Sequence, residues 1–508
     1  MKQNKQNQRD YQKLLKSINL KMNTKNPIEK YFHRMTCYHY YFFFLLFLTK
    51  LPVFWHVLSL IFLSPPMSFT CKETTGSGDQ CPCKEPIWDR SVFAETIQTK
   101  YGIVCDRTWL VSFSQSMLYV GTLLGALLFG FWSDRSGRLP TFSLSCLTIA
   151  IAGCLVRIMP TAASFIFMRC IEGIGVGGAV VTGYVLCVEY CGTRYREMVS
   201  ALYHIPINVS HMTLAGMSYL MRHCDVFQIA LSVPMFLCVT MWCLCLESPK
   251  WLMDVGDVEK ATKVMQNIAC FNRHPTEHIK AELEEYHAAQ ATSKSNKLSF
   301  WQIFRHRKLS INLVCMSFIY FVCGMGYYGV SQYIGKMSGD IHMNVAISGA
   351  LLIPGTITAA FLLQILGRRF FLMSTSFLSG TFMIIVIIIP EHATTARVLT
   401  ACICNTFFFM SFIIVFLYGV ELFPTSIRNS VLGFLSVLSR VGQICAPPIN
   451  ALPQVVSGTI FGLMAILGGL LCLPLPETKN IDLPSSIEDT KNLPRKLSLF
   501  GQESVQIQ

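Results

Sequence analysis

The stretch GFWSDRSGRLP, residues 130–140, places three charged side chains between two long apolar segments. Mostly apolar residues precede it at 110–129, and a second apolar run follows it at 141–159. A helix needs roughly 20 consecutive apolar residues to cross the hydrocarbon core of a bilayer. The stretch is therefore typical of a short charged loop that joins two membrane-spanning helices.

The same alternation of long apolar segments and short charged loops continues along the chain. Of the 508 residues, 52% are hydrophobic and only 14% are charged, whereas about a quarter of the residues of a soluble protein are charged. Apolar segments long enough to span a bilayer lie at 40–63, 110–132, 141–159, 163–188, 198–220, 226–246, 310–332, 345–366, 370–389, 396–420, 430–450 and 455–475. We therefore predict an all-α polytopic membrane protein with 12 transmembrane helices.

The net charge of +13 is concentrated at one end of the chain rather than spread over a nucleic-acid-binding surface. Residues 1–34 contain nine Lys or Arg and two acids, which gives +7. A basic segment before a first span keeps the N-terminus in the cytosol. With that orientation, the short cytosolic loops carry seven basic residues and the short outside loops carry two. Both termini are therefore expected in the cytosol, with lipid and not nucleic acid as the surrounding partner.

Three pairs of loop motifs repeat at nearly one spacing. Gly137 and Arg138 recur as Gly367, Arg368 and Arg369, 230 positions later. The stretch VEYCGTRYR (188–196) is echoed by VELFPTSIR (420–428), and LESPK (246–250) resembles LPETK (475–479). In these stretches, Glu189, Arg196 and Glu247 correspond to Glu421, Arg428 and Glu477. The chain is therefore predicted to contain two six-helix halves in parallel orientation.

This repeat divides the chain into five parts. They are a basic cytosolic arm (1–39), an N-terminal half (40–246) with an extracellular loop at 64–109, a cytosolic linker (247–309), a C-terminal half (310–475) and a cytosolic tail (476–508). The extracellular loop contains Cys71, Cys81, Cys83 and Cys105. Four thiols in an oxidising space predict two disulfides, with three possible pairings. A zinc site is the alternative, but no His joins the cluster, so we expect no metal.

The repeated loop motifs place acids as well as bases on the cytosolic side. Topology alone requires only Lys and Arg, so the acids indicate ion pairs between spans. We expect such pairs to hold the cytosolic ends of the halves together in one state and to release them in another. The candidates are Asp134, Arg135, Gly137, Arg138, Glu189, Arg196, Glu247, Gly367, Arg368, Arg369, Glu421, Arg428 and Glu477, with Arg169, paired to Glu172, inside span 4. The alternative is a static role in topology and anchoring.

These motifs resemble the signatures of the major facilitator superfamily. In combination, GFWSDRSGR, ESPKWL (247–252), VELFPTSIRN (420–429) and PETKN (476–480) resemble its organic ion transporter family, solute carrier family 22, from about residue 45 to 480. Sugar porters share several of these motifs, but the Gln-Gln pair of their span 7 is missing here. The chain departs from the family in its shorter first outside loop, which lacks glycosylation sequons, and in Gln364, where the family often has Asp.

One charged residue stands at the middle of a span. Arg440 lies in SVLSRVGQICAP (436–447), and its guanidinium is suited to a carboxylate or sulfonate. Backbone carbonyls or an acid of another helix are its alternative partners. The resemblance implies a basic residue here in anion and carnitine-type carriers. It also implies pocket roles for Tyr327, Tyr328 and Phe412. His211 and Trp55 are further candidates for substrate contact, with packing as the alternative for each aromatic.

Span 8 is the second place where the resemblance bears on substrate charge. Cation carriers of the family have a Glu where this chain has Leu352, and anion carriers often have a Lys where it has Thr356. Together with Arg440, this favours an anion or zwitterion over a simple cation.

We therefore predict a secondary transporter of small organic ions in the plasma membrane that works by alternating access. Facilitated diffusion, exchange against a second substrate and coupling to an ion are all open. No nucleotide-binding GxxxxGK[ST] sequence and no catalytic constellation occurs, so neither a cofactor nor an enzymatic activity is expected. The alternatives are an organic cation uniporter of the same family and a transport-inactive membrane receptor or scaffold.

Overall fold

The computed structural model describes residues 27–72, 81, 83, 85–192, 195–291, 300–479, 481 and 484. Most of the predicted N-terminal arm, part of the linker (292–299) and most of the tail lie outside the described residues. The described chain is almost entirely helical.

Eleven helices occupy the described end of the arm and the N-terminal half, with one long connection at 64–96. They are α1 (Pro27–Tyr31), α2 (Cys37–Leu58), α3 (Leu60–Leu63), α4 (Ile97–Tyr101), α5 (Trp109–Ser136), α6 (Arg138–Val156), α7 (Ala162–Glu189), α8 (Arg196–Leu202), α9 (Ile205–Leu220), α10 (Cys224–Val239) and α11 (Met241–Leu244). The linker adds α12 (Pro249–Val255), α13 (Val258–Phe271), α14 (Ile279–Ala291) and a 3₁₀ turn (Phe300–Arg305).

The C-terminal half contains six long helices. They are α15 (Arg307–Gly335), α16 (Ile341–Ile365), α17 (Arg368–Ile388), α18 (Thr394–Leu422), α19 (Thr425–Asn450) and α20 (Gln454–Leu470). Close backbone contacts join helices within each half. A Cβ on Gly121 of α5 would lie 2.1 Å from the carbonyl oxygen of Cys170 in α7, and one on Gly324 of α15 would lie 2.1 Å from that of Ser439 in α19.

Eleven helices of the described chain are long and apolar enough to cross a membrane, so the predicted count of twelve is not confirmed. The predicted span at 198–220 is divided into α8 and α9. Pro206 is the second residue of α9, and it has no N–H to donate to the carbonyl of Leu202, where α8 ends. The 16 residues of α9 extend about 24 Å at 1.5 Å per residue, which is shorter than a hydrocarbon core of about 30 Å.

The described residues of the Cys-containing segment 64–109 lie at one end of the bundle, which we call the loop side. The opposite end, which carries the linker, is the linker side. On the loop side, β1 (Phe69–Cys71) pairs antiparallel with β2 (Pro86–Trp88). Cys71 is bonded to Cys83 and Cys81 to Cys105, so two disulfides link all four candidate thiols. The described residues contain no group of three or more His, Cys, Asp or Glu that could hold a metal ion.

Candidate functional site

On the linker side of the N-terminal half, four charged residues form the first linker-side cluster: Asp134, Arg138, Glu189 and Glu247. The Arg138 side chain donates to Glu189 Oε1 (3.2 Å) and to Asp134 Oδ1 (2.5 Å). Glu247 accepts the backbone N–H groups of Arg138 (3.1 Å) and Leu139 (3.2 Å) at the start of α6. The cluster thus ties the ends of three helices and the α11–α12 connection together.

The second linker-side cluster consists of Arg368, Glu421, Glu477 and Thr478 in the C-terminal half. Glu477 accepts the backbone N–H of Arg368 at 2.7 Å, and a second N–H comes from Arg369 at 3.2 Å. The Arg368 side chain lies 3.3 Å from Glu421, which also accepts the Thr478 hydroxyl at 2.6 Å. Residues 230 to 232 positions apart in sequence therefore make corresponding contacts in the two halves: Glu247 and Glu477 with backbone N–H groups, and Glu189 and Glu421 with an arginine side chain.

The first cluster needs a glycine at its turn, and the second does not. Gly137 has φ +102°, and a Cβ there would lie 2.5 Å from Glu247 Oε2. Gly367 precedes α17 with φ −64°, which any residue adopts. Burial raises the pKa of Glu247, and its hydrogen bonds from the amides of Ser248, Leu139 and Arg138 oppose that rise.

The clusters differ from the predicted arrangement in one respect. The sequence led us to expect ion pairs that join the two halves, but Arg138–Glu189 and Arg368–Glu421 each join helices of one half. Each half is therefore braced as a separate unit. Local charge explains this, because Glu189 and Glu421 lie at the ends of α7 and α18, beside the first residue of α6 and of α17.

Three other predicted charges lie outside these clusters. Arg196 is 3.6 Å from Glu29 of α1, and Arg428 donates to the carbonyl of Phe423 at 3.1 Å. Arg135 is exposed, with no ion-pair or hydrogen-bond partner in the described part of the chain.

In the interior, aromatic rings from both halves meet in a central aromatic cluster. Its members are Tyr327, Tyr328, Phe409 and Phe412 from the C-terminal half and His204 and His211 from the N-terminal half. The Tyr327 ring lies 4.8 Å from Phe409, 5.8 Å from Phe412 and 6.4 Å from His211. His204 lies 6.2 Å from Phe412. Tyr328, at 4.8 Å, Phe412 and His211, the other three predicted pocket aromatics of spans 5, 7 and 10, thus all lie against the Tyr327 ring.

Several polar atoms inside this cluster have no hydrogen-bond partner among the described residues. They are the Tyr327 hydroxyl, His211 Nε2 and His204 Nδ1. A buried polar atom without a partner costs about 1–3 kcal/mol. Such atoms grouped between two halves are expected where a ligand supplies the missing contacts.

Arg440 lies deep in α19, and its electrostatic neighbour is the Tyr328 hydroxyl. The side chain is partly exposed although the residue is surrounded by the bundle. Among the described residues it has neither an ion pair nor a side-chain hydrogen bond. Both alternatives weighed from the sequence, an inter-helix acid and backbone carbonyls, are therefore absent in the described part of the chain.

Direct polar contacts join the halves around the cluster. Gln332 of α15 donates to the Tyr119 hydroxyl of α5 at 3.1 Å, and Asn208 of α9 donates to Thr356 Oγ1 of α16 at 2.7 Å. The Tyr119 ring is 5.6 Å from that of Tyr328. The cluster therefore occupies the interface of the two halves.

Two predicted residues of the N-terminal half lie away from the central aromatic cluster. Trp55 donates its Nε1–H to Thr213 at 2.8 Å and packs with the apolar residues of the loop side. Arg169 forms the predicted ion pair with Glu172 at 3.0 Å, fully buried. His56 and Gln228 also bond the Glu172 carboxylate, so the network is internal to the N-terminal half.

Lys50, a buried lysine in α2, was not predicted as a site residue. Its Nζ donates to the carbonyl of Tyr203 at 2.7 Å and lies 3.3 Å from the centroid of the Tyr203 ring. Only 6% of Lys50 is exposed. A cation inside a span was the signal that identified Arg440, and the same signal was present at Lys50 among the aromatic residues of the first span.

Residues 67–486 match the family described as sugar (and other) transporters. The chain is 30% identical to an organic cation transporter protein of Drosophila melanogaster, over 83% of this chain and 78% of that protein. It is 30% identical to solute carrier family 22 member 1 of Bos taurus (82% and 74% covered) and 29% identical to organic anion transporter 3 of Oryctolagus cuniculus (85% and 80%).

Solved structures show the same fold at low identity. The inward-open xylose transporter of E. coli superposes with a TM-score of 0.66 at 15% identity, over 87% of this chain and 97% of that one. Its partially occluded inward-open form gives 0.60 at 16% identity, over 88% and 100%.

Proposed function

This chain belongs to the sugar (and other) transporter family of the major facilitator superfamily and to its solute carrier 22 branch, and we propose that it carries small organic anions or zwitterions by alternating access. The substrate sits between the halves, against the central aromatic cluster and Arg440. Names of relatives include both cation and anion transporters, so the charge preference rests on this chain's own residues.

The observation that carries the proposal is the unpaired Arg440 beside Tyr328. A guanidinium away from water is costly unless it is paired or used, and planar acids match its donor geometry in a bidentate contact. Leu352 and Thr356 of α16 are not acids, so these two positions provide no negative charge for Arg440. The Thr356 hydroxyl already accepts a hydrogen bond from Asn208. A carboxylate or sulfonate of the substrate supplies the counter-charge, while the rings hold its apolar body.

Rigid halves are what alternating access requires. The two linker-side clusters brace helix ends within each half, so each half is suited to move as one body about the central site. In this proposal Asp134, Arg138, Glu189 and Glu247, like Arg368, Glu421 and Glu477, preserve the shape of the rocking units. The loop side with its disulfides faces the outside of the plasma membrane, and both termini face the cytosol.

Uptake of labelled compounds by cells that express the protein tests this proposal. The panel contains aromatic carboxylates, sulfonates, zwitterions and quaternary amines, and it compares wild type, Arg440→Gln and Arg440→Lys at equal surface abundance. Arg157→Gln, at an exposed position near the end of α6, is the matched control. We expect anion or zwitterion uptake that Arg440→Gln abolishes and Arg440→Lys partly retains. Anion uptake insensitive to both substitutions contradicts the site assignment.

The other candidate functions give different outcomes in the same cells. Potential-driven uptake of a quaternary amine that survives Arg440→Gln identifies a cation uniporter. A receptor or scaffold shows no flux for any compound, and Asp134→Ala then alters only its delivery to the surface.

A further inference from the structure

The charges inside the described spans do not balance. Away from the residues near helix ends, the span helices contain one acid, Glu172, and three cations, Lys50, Arg169 and Arg440. The Glu172 carboxylate is paired with Arg169 at 3.0 Å and also contacts His56. Lys50 and Arg440 therefore lack an acidic partner among the described residues.

The Lys50 ammonium contacts a backbone carbonyl and an aromatic ring, with no acid among its contacts in the described part of the chain. One of its three N–H donors reaches the Tyr203 carbonyl, and the ammonium lies over the face of the Tyr203 ring. A carbonyl dipole and a π face both favour a positive charge. Neither supplies the negative charge that a buried lysine needs for full compensation.

Lys50 is connected to the central aromatic cluster through two neighbouring residues. The Tyr203 ring, which contacts the Lys50 Nζ, lies 6.4 Å from the His204 ring. The His204 ring lies 6.0 Å from Phe409 and 6.2 Å from Phe412, and its Nδ1 has no partner among the described residues. Arg440 joins the same cluster through Tyr328, which is 6.2 Å from Phe412. Each half therefore contributes one uncompensated cation, and the aromatic rings lie between them.

We infer that Lys50 is a second charged residue of the substrate site and that the preferred substrates are organic dianions, with two acidic groups on an apolar or aromatic body. This inference rests on the proposed function. One acid pairs with Arg440 of the C-terminal half, and the other reaches Lys50 of the N-terminal half. His204 is placed to donate to the second acid. Because the two cations belong to different halves, a dianion draws the halves together, which a monoanion does not.

Terephthalate and its monomethyl ester are suitable probes, because they share a ring and differ by one charge. Uptake of both is measured for wild type, Lys50→Met, Lys50→Arg and Arg440→Gln at equal surface abundance. Lys50→Met is expected to raise the apparent KM for the diacid about tenfold, the effect of losing roughly 1.4 kcal/mol of binding, and to leave the ester unchanged. Lys50→Arg is expected to restore the preference for the diacid. Arg440→Gln is expected to reduce uptake of both compounds.

Lys336→Met is the matched control, because Lys336 also donates to a backbone carbonyl, that of Asn450 at 2.7 Å, outside the cluster. We expect it to leave the diacid-to-ester ratio unchanged. Should Lys50→Met fail to fold, thermal unfolding of purified wild type gives an independent answer. The diacid is expected to raise Tm more than the ester at equal concentration.

Two results overturn the inference. One is an equal effect of Lys50→Met on diacid and ester, which identifies a packing role. The other is a diacid that is neither carried nor bound better than its ester by wild type. In either case, Arg440-dependent uptake of monoanions or zwitterions leaves the proposed function intact, whereas the absence of any Arg440-dependent uptake refutes both.

Discussion

Glu477 accepts the backbone N–H of Arg368 at 2.7 Å, at the start of a helix of the C-terminal half. Glu247 accepts the backbone N–H of Arg138 at 3.1 Å in the N-terminal half, 230 positions earlier in the sequence. In both halves the next residue donates a second N–H to the same carboxylate. The acids of the repeated motifs thus cap helix N-termini, where backbone N–H groups lack partners within the helix.

Removing one of these caps is expected to destabilise its half. Glu477→Ala leaves the buried amides of Arg368, Arg369 and Thr478 without their acceptor, and the free energy of unfolding should fall by about 1–3 kcal/mol. Thermal unfolding of purified protein measures the loss. Glu259→Ala is the control, because its side chain is 79% exposed and pairs with the exposed Lys263. An equal Tm for both variants would refute the capping role.

Glu247 should give stability a measurable pH dependence. Burial raises its pKa in the folded state, so between the ordinary and the raised pKa the folded protein binds more protons than the unfolded chain. Stability therefore increases as pH falls through this window. Wild type should gain more Tm than Glu247→Gln between neutral and mildly acidic pH. Identical pH profiles of the two proteins would show that Glu247 does not contribute.

The buried pair in the N-terminal half predicts a strong asymmetry between single and double substitutions. Glu172→Leu leaves Arg169 as an uncompensated buried charge and should cost about 3–5 kcal/mol. The double variant Arg169→Met, Glu172→Leu removes both charges and should be milder. Surface abundance in cells and the Tm of purified protein measure the loss of stability in the single and in the double variant. A loss of stability in the double variant equal to the sum of the losses in Glu172→Leu and Arg169→Met would contradict the pairing.

The disulfides predict which thiol each substitution releases. Cys71→Ser should expose Cys83 alone, and Cys105→Ser should expose Cys81 alone, to a membrane-impermeant thiol reagent applied to intact cells. Loss of one cross-link is expected to cost about 2–4 kcal/mol. Mass mapping of the labelled peptides checks the assignment, with wild type as the unlabelled control. Labelling of any other cysteine of the segment indicates a different pairing.

The sequence predicted the architecture because its repeated acids and arginines make corresponding contacts in the two halves. Arg138 recurs as Arg368 and Glu247 recurs as Glu477, each 230 positions later, because the same helix N-terminus is capped by the same acid in both halves. The family comparison confirms the resemblance on which the transporter fold was predicted. Spacing along the chain did not reveal which acid pairs with which base. In this structure Arg138–Glu189 and Arg368–Glu421 each pair within one half, and pairs that join the halves in another state stay a prediction.

Local features explain the remaining differences. The break at Pro206 was hidden in an apolar run that looked continuous, because hydropathy does not register a missing N–H. Lys50 was obscured by its aromatic neighbours. For Trp55, the alternative of packing agrees with its contacts on the loop side, and a contact with substrate stays a prediction. The disulfide pairing required the antiparallel contact of Phe69 with Trp88, which places Cys71 near Cys83.

The most direct test of the central claim is the uptake of an organic anion by wild type and Arg440→Gln at equal surface abundance. An anion held by the unpaired guanidinium should lose at least about tenfold in kcat/KM when that charge is removed, the effect of roughly 1.4 kcal/mol, and Arg440→Lys should recover part of it. Equal kcat/KM for the anion in wild type and Arg440→Gln would contradict the account.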